Sequence, residues 1–145
     1  GKRDVGALLN ELAYDRGMAW SNIAELAEVS VSAVRKWRKG GDASAESRNR
    51  LAKIAALLDL LEEKGLVQDP ARWMEMDLPL GAGHHVRPLD LYLSGHALAL
   101  LDIAEQRRPP AQVLDGIYPD WRDRRSEFEV FTDTDGEQSI RMRGK

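Results

Sequence analysis

The chain has 145 residues, no cysteine and a formal net charge of −3. The lack of cysteine excludes disulfides and thiolate-bound metal, and no apolar run in the sequence approaches the length needed to span a bilayer. The first residues lack the pattern of a secretory signal, so we expect a cytoplasmic protein. A negative net charge disfavours nucleic-acid binding unless the positive charge is concentrated in one segment.

The first predicted element is a helix over 5–16, because apolar residues recur there at helical spacing and Gly17 supplies a C-cap. A short second helix follows, with Ile23, Ala24 and Ala27 on one face. Together these two segments indicate the beginning of a small helical domain.

Residues 28–30 form the predicted turn into a third helix. Ser30 is a suitable N-cap because its hydroxyl can accept a free backbone N–H. Val34 and Trp37 are three residues apart, which places both on the inner face of that helix. The pattern of 20–40 therefore predicts a helix-turn-helix, the motif that places its second helix in the major groove of DNA.

The outer face of the third helix is basic. Between Val31 and Lys53 there are seven basic residues and two acidic ones, so the positive charge is concentrated there. The side chains that we expect to reach base edges are Val31, Ser32, Arg35 and Lys36. Those that we expect to contact phosphates are Ser21, Asn22, Arg38, Lys39 and Ser44. A helical hairpin with a solvated basic face is the alternative interpretation of the same pattern.

A long helix is predicted over 45–64, with Asp42 or Ser44 as its N-cap and Gly65 at its end. Asp69 and Pro70 form a typical helix start. Shorter helices are expected over 71–76, 88–93, 96–107 and 111–117.

The end of the chain changes to the alternating pattern of strands, over 127–131 and 139–143. A three-residue loop at 134–136 predicts a β-hairpin, with a disordered tail as the alternative. The expected cross-strand pairs are Phe128–Met142, Glu129–Arg141, Val130–Ile140 and Glu127–Arg143. Just before this segment, three arginines are candidates for a second DNA contact or belong to a solvated linker: Arg122, Arg124 and Arg125.

The pairs Ile23–Ala24 and Val29–Ser30, followed by Val34, Trp37 and Gly40, resemble the Xre/Cro-type helix-turn-helix of bacterial and phage regulators. This resemblance implies sequence-specific binding to double-stranded DNA. Two residues depart from the family pattern. Glu28 replaces the usual turn glycine and therefore needs a less common backbone conformation or an altered turn, and Trp20 stands where the family often has a phosphate-contacting glutamine.

Residues 70–107 resemble the small domain that follows the helix-turn-helix in the Xre-type antitoxins of RES–Xre toxin–antitoxin pairs. The resemblance is carried by Ala71-Arg72-Trp73-Met74, Leu80-Gly81, Arg87-Pro88-Leu89-Asp90-Leu91 and Gly95. It implies contact with a toxin and repression of the chain's own operon. The segment 82–86 departs from the shorter loop of that family, and 109–145 has no counterpart in it.

The sequence thus predicts a mainly α protein with an Xre-like helix-turn-helix domain over 1–66, a small helical toxin-binding-like domain over 67–108 and a C-terminal extension with a β-hairpin over 109–145. We expect a transcriptional repressor, of the autoregulating antitoxin kind. The alternatives are a phage-type repressor whose C-terminal region is a second DNA-binding element, and an inhibitor of a protein partner with secondary DNA binding.

The expected partner is double-stranded DNA, with a cognate toxin and a second copy of the chain as further candidates, and no membrane. No catalytic residues, cofactor or metal site are expected. The adjacent His84 and His85, and His96, lack acidic or thiol residues at a ligand spacing. No glycine-rich loop follows a strand, and no serine-nucleophile signature occurs.

Overall fold

Asp4 caps the first helix, because its Oδ1 accepts a hydrogen bond from Ala7 N at 2.7 Å. In the computed structural model, which describes residues 4–81, 83–124, 128–132 and 138–142, helix α1 (Val5–Asn10) continues into a π-helical segment, Glu11–Asp15. Gly17 ends this predicted helix with φ of +76°. The chain divides into two compact units, Gly1–Glu75 and Met76–Lys145, called here the first and the second unit.

The helix-turn-helix predicted for the first unit is present as α2 (Trp20–Ala27) and α3 (Val31–Arg38). Ser30 Oγ accepts from Ala33 N at 3.1 Å and so caps α3, as predicted. Glu28 has φ of 59° and ψ of 43°, so the residue that replaces the usual glycine adopts the left-handed conformation itself. This conformation costs a residue with a side chain about 1–2 kcal/mol.

The long predicted helix is α4 (Ala45–Glu63), and Ser44 is its N-cap through a 3.0 Å bond from Ser47 N to Ser44 Oγ. Its predicted apolar stripe is buried: Leu51, Ile54, Ala55, Leu58 and Leu61. This stripe packs against α1 and α2, so the core of the first unit lies between these three helices. Arg16, which follows the π-helical segment, pairs with two acidic residues of α4, with Asp59 at 2.6 Å and with Glu62.

Helix α5 (Pro70–Glu75) begins at the predicted Asp69–Pro70 start, where Asp69 Oδ1 accepts from Arg72 N at 3.3 Å. The structure groups this helix with the first unit, whereas the division drawn from the sequence begins a new domain at residue 67. The physical reason is burial, because Ala71 and Met74 are fully buried and α5 packs against α4.

The described residues of the second unit form three short helices, α6 (Pro88–Leu93), α7 (Ala97–Ala104) and α8 (Pro110–Ile117), and a 3-10 turn, Trp121–Arg124. Helix α7 packs against both α6 and α8. The buried residues of this unit include Leu89, Leu91, Leu100, Val113 and Leu114.

The predicted fold class requires a correction at the C-terminal end. Segments β1 (Phe128–Thr132) and β2 (Gln138–Met142) pair antiparallel, with Val130 opposite Ile140 and Phe128 opposite Met142. They form a two-stranded ribbon that no further strand joins among the described residues, and no helix of the described residues packs closely against it. Two strands alone make no stable layer, so the expectation that a β-hairpin completes the fold is wrong and the architecture is helical. The predicted loop 134–136 and the Glu127–Arg143 pair lie outside the described residues.

The longest helix is α4, and neither it nor any other helix of the described residues is long and apolar enough to cross a membrane.

Candidate nucleic-acid interface

Helix α3 offers a polar, basic face to solvent. Its inner side chains, Val34 and Trp37, are only 1% and 7% exposed and fix the helix to the core of the first unit. Val31, at the start of the helix, is half-buried. The outward residues are exposed: Ser32, Arg35, Lys36, Arg38 and Lys39. The structure therefore brings the predicted base-reading and phosphate-contacting residues of α3 onto one accessible surface.

The end of α3 is closed tightly by hydrogen bonds between backbone groups. Lys39 N donates to both Arg35 O and Lys36 O, at 3.3 and 3.1 Å, and Gly41 N donates to Lys36 O at 2.9 Å. A Cβ at Gly41 would lie 2.9 Å from Lys36 O, so only glycine allows the chain to approach this closely. Cations in the last turn also interact favourably with the helix dipole.

The left-handed turn between α2 and α3 is held by Arg50 of α4. Its Nε lies 3.0 Å from Glu28 Oε2, its Nη2 donates to Glu46 at 2.8 Å, and its Nη1 lies 3.5 Å from Ala27 O at the end of α2. The guanidinium thus joins the turn residue to α4. Arg50, which the sequence counts in the basic segment, is neutralised by two carboxylates.

Arg38 stacks on Trp20 at the edge of this surface. Its Cζ lies 3.9 Å from the centroid of the Trp20 ring, and Tyr14 contacts the same ring edge-on, with centroids 5.8 Å apart and planes at 81°. Among the described residues, no carboxylate forms an ion pair with Arg35, Lys36, Arg38 or Lys39. The cations of α3 are therefore available to an external anion.

Two of the predicted phosphate contacts have polar groups that are bonded within the protein. Asn22 Nδ2 donates to Glu75 Oε2, which also accepts from Ala19 N at 3.1 Å. Ser44 Oγ accepts from Ser47 N while donating its own proton to Ser47 Oγ at 3.1 Å. Ser21 is half-buried on the first turn of α2. The geometry thus favours the cations of α3 over the uncharged residues as phosphate ligands.

The candidate second DNA contact has a different environment. Arg122 pairs with Asp115 and lies over Trp121, at 4.5 Å from the ring centroid. The indole Nε1 of Trp121 donates to the same carboxylate at 2.9 Å. Hydrogen bonds from Arg122 and then from Trp121 hold the pKa of Asp115 below its usual value. The side chain of Arg124 and the whole of Arg125 lie outside the described residues.

The histidines form contacts within the protein. His84 packs edge-on against Trp121, His96 against Tyr118, and His85 Nδ1 lies 3.1 Å from Asp77. Nowhere in the described ranges do three histidine or acidic side chains come together in a way that could hold a metal ion.

Sequence reasoning missed three of these features: the Trp20–Arg38 stack, the Glu28–Arg50 pair and the position of Glu75. The Trp20 and Glu28 departures from the family pattern were signals that something local had changed. Neither signal indicates the partner, since each partner is distant in the sequence.

Three comparisons with known proteins found no match: a scan against protein-family models, a search of curated proteins and a search of solved structures.

Proposed function

We propose that this chain is a sequence-specific binder of double-stranded DNA that represses transcription, with α3 as its recognition helix. The observation that carries the proposal is the two-sided character of α3. Its inner face is fixed by Val34 and Trp37, while its outer face presents unpaired cations and Ser32. A rigid helix with such a face matches the width and the acceptor pattern of the major groove.

The roles divide by position on the helix. Arg35 is the strongest base reader, because its guanidinium can donate to both N7 and O6 of one guanine. Ser32 and Lys36 flank it, and the half-buried Val31 is placed to contact a thymine methyl group. Lys39, at the end of the helix, and Arg38, on its flank, are assigned to phosphates, which set the register on DNA without reading sequence.

Fluorescence anisotropy tests the proposal, with the duplex upstream of the chain's own coding sequence and a scrambled duplex of equal composition. Arg35→Ala should cost about 1–3 kcal/mol on the upstream duplex and relax preference at one base pair. Arg35→Lys is the matched control, since it keeps the charge and removes the two-pronged donor. Lys64→Ala removes an exposed charge after the end of α4 and should change little.

An unchanged ratio of upstream to scrambled affinity in Arg35→Ala would contradict the assignment of α3 as the reader. No salt-dependent binding of the wild type to either duplex would contradict DNA binding altogether. Titration to saturation also gives the number of chains on each duplex, and two chains would support a homodimer.

A protein partner of the second unit is the second candidate, as the antitoxin interpretation requires. The observation that favours it is exposed apolar surface, because Leu98 of α7 is 81% and Leu93 of α6 is 37% exposed. Co-expression with the product of the adjacent gene, followed by size-exclusion chromatography, tests this part. Leu98→Ser should weaken the complex without affecting DNA affinity, and absence of a complex would remove the antitoxin role while leaving the repressor role intact.

A further inference from the structure

A cleft of about 430 Å³ lies along the flank of α3, between that helix, α1 and the start of α2. Among the described residues, its lining combines three cations and two aromatic rings with no carboxylate: Asn10, Tyr14, Trp20, Arg35, Arg38 and Lys39, beside smaller apolar contributions from α1. Such a lining attracts an anion, and an open cleft of this size admits a segment of a polymer chain.

Arg38 is oriented inside this cleft before any ligand arrives. The face of its guanidinium is covered by Trp20 at 3.9 Å, and Trp20 is in turn in contact with Tyr14. Stacking uses the face of a guanidinium and leaves the in-plane N–H groups free to donate. These N–H groups match two oxygens of one phosphate, which is the two-pronged geometry that makes arginine–phosphate contacts strong.

The cleft is continuous with the base-reading face. Arg35 and Lys39 line it and also lie on the outer surface of α3, four residues apart and therefore on the same side of the helix. A helix in the major groove has a phosphate backbone on each side, so a cleft on its flank faces one of these backbones. The anion that reaches this position first is a phosphodiester of the bound duplex.

The polar groups at the start of α2 are not available to the same phosphate, because they are already bonded within the protein. The carboxylate of Glu75 is bonded to Ala19 N and Asn22 Nδ2 there, and its negative charge repels a phosphate. In the part of the chain that the structure describes, no residue that lines the cleft carries a negative charge.

We propose that this cleft is a binding site for one backbone phosphodiester, in which Arg38 donates to the phosphate, Lys39 adds charge at the rim and Trp20 is the positioning residue for Arg38. The proposal rests on the DNA-binding function above and specifies how the protein contacts the DNA backbone. It adds Trp20 and the cleft to the phosphate contact already assigned to Arg38 and Lys39, and it removes the uncharged residues at the start of α2 from that contact.

The test measures anisotropy at several salt concentrations for Arg38→Ala, Arg38→Lys, Trp20→Phe and Trp20→Ala in the full chain, on the upstream and the scrambled duplex. Arg38→Ala should lower the affinity for both duplexes equally, by about tenfold, and should lower the slope of log affinity against log salt concentration by about one. Arg38→Lys should recover the slope but only part of the affinity, since it keeps the charge and loses the two-pronged donor. Trp20→Phe, which keeps a ring under the guanidinium, should stay close to the wild type.

The double variant Trp20→Ala, Arg38→Ala separates positioning from mere folding. If Trp20 acts through Arg38, the double variant should bind DNA as tightly as Arg38→Ala does. The losses of affinity in the two single variants are then strongly non-additive. Additive losses, or an unchanged salt slope in Arg38→Ala, would overturn the proposal while the Arg35 result still supports DNA binding. Thermal unfolding of each variant identifies any loss that comes from unfolded protein.

Free phosphate is tested as the alternative source of the anion. Replacing chloride by inorganic phosphate at equal ionic strength should not change the tryptophan fluorescence of the free protein, whereas the duplex should change it in the wild type and less in Trp20→Phe. A saturable response to inorganic phosphate that Arg38→Ala abolishes would assign the cleft to a free anion and reject the duplex backbone as its ligand.

Discussion

Each unit contains an arginine stacked on a tryptophan, and the two pairs differ in what else surrounds the guanidinium. Arg38 lies over Trp20, and no carboxylate forms an ion pair with it in the part of the chain that the structure describes. Arg122 lies over Trp121, but Asp115 accepts hydrogen bonds from both members of that pair. The same stack therefore leaves one arginine ready for an external anion and uses the other to hold its own unit together.

The distribution of carboxylates in the first unit follows the same division. Arg16, at the end of the π-helical segment, and Arg50, on α4, are each paired with two acidic side chains. The cations on the outer face of α3 have none in the described residues. Acidic side chains are thus placed where they support the scaffold, and the local positive field of α3 is preserved although the chain as a whole is negative.

The two arginine–tryptophan pairs should differ most in how much the loss of the tryptophan lowers the free energy of unfolding. Trp121 is 6% exposed and its indole N–H is bonded to Asp115, so Trp121→Ala should cost about 3–5 kcal/mol, the usual range for a buried large aromatic. Trp20 is only half-buried, so Trp20→Ala should cost clearly less. Urea unfolding followed by circular dichroism measures both. Equal losses would show that the Trp20 stack is as structural as the other and would weaken the contrast.

The next effect is on DNA affinity. It is tested by giving the Arg38–Trp20 pair a neighbouring carboxylate, as the Arg122–Trp121 pair has in Asp115. Asn10 lines the cleft that contains Arg38, and Asn10→Asp places a carboxylate there with almost no change in shape. We expect about a tenfold loss of affinity on upstream and scrambled duplexes alike, with a lower salt slope, because the new charge neutralises a cation and repels phosphate. Asn49→Asp, at an exposed position of α4, is a control for the added charge. An equal loss in both variants would mean that total charge, not the cleft, sets the affinity.

A smaller effect concerns the turn that Arg50 holds. Glu28→Gly removes the left-handed strain, a gain of about 1 kcal/mol, and loses an exposed ion pair worth about 0–1 kcal/mol. Glu28→Ala keeps the strain and loses the pair. We therefore expect Glu28→Gly to be at least as stable as the wild type and Glu28→Ala to be less stable, as measured by urea unfolding. If both variants are destabilised equally, the Arg50 pair rather than the backbone determines the stability of the turn.

The parts of this structure that the sequence predicts are those with short-range causes. Ser30 and Ser44 are each three residues from the amide that they cap, and the stripe of α4 repeats at the helical period, so these elements follow from local spacing. For Glu28 the sequence left two alternatives, a less common backbone conformation or an altered turn, and the structure shows the first of them. The exposed basic face of α3 could be predicted for the same reason, as Val34 and Trp37 fix which side of the helix points inward.

The features that the sequence does not predict depend on residues that meet only after folding. Nothing in the spacing of Trp20 and Arg38 places one over the other, and Glu75 reaches Asn22 from a helix 53 residues away in the sequence. The strand pattern near the C-terminus similarly indicates which residues alternate but not what covers them. Long-range packing, and not propensity, decided these points.

The smallest expected effect is the pH dependence of the second stack. Hydrogen bonds from Arg122 and Trp121 hold the pKa of Asp115 below its usual value of about 3.9. A carboxyl group whose pKa is lower in the folded state contributes stability above the pKa of the unfolded chain, and this contribution is lost as the pH falls through the folded-state value. The difference in urea midpoint between the wild type and Asp115→Asn should therefore be present at pH 7 and shrink below about pH 4. A difference that is the same at pH 7 and pH 3 would mean that the ionised carboxylate does not support the Trp121 stack, and that the two arginine–tryptophan pairs differ less than their surroundings indicate.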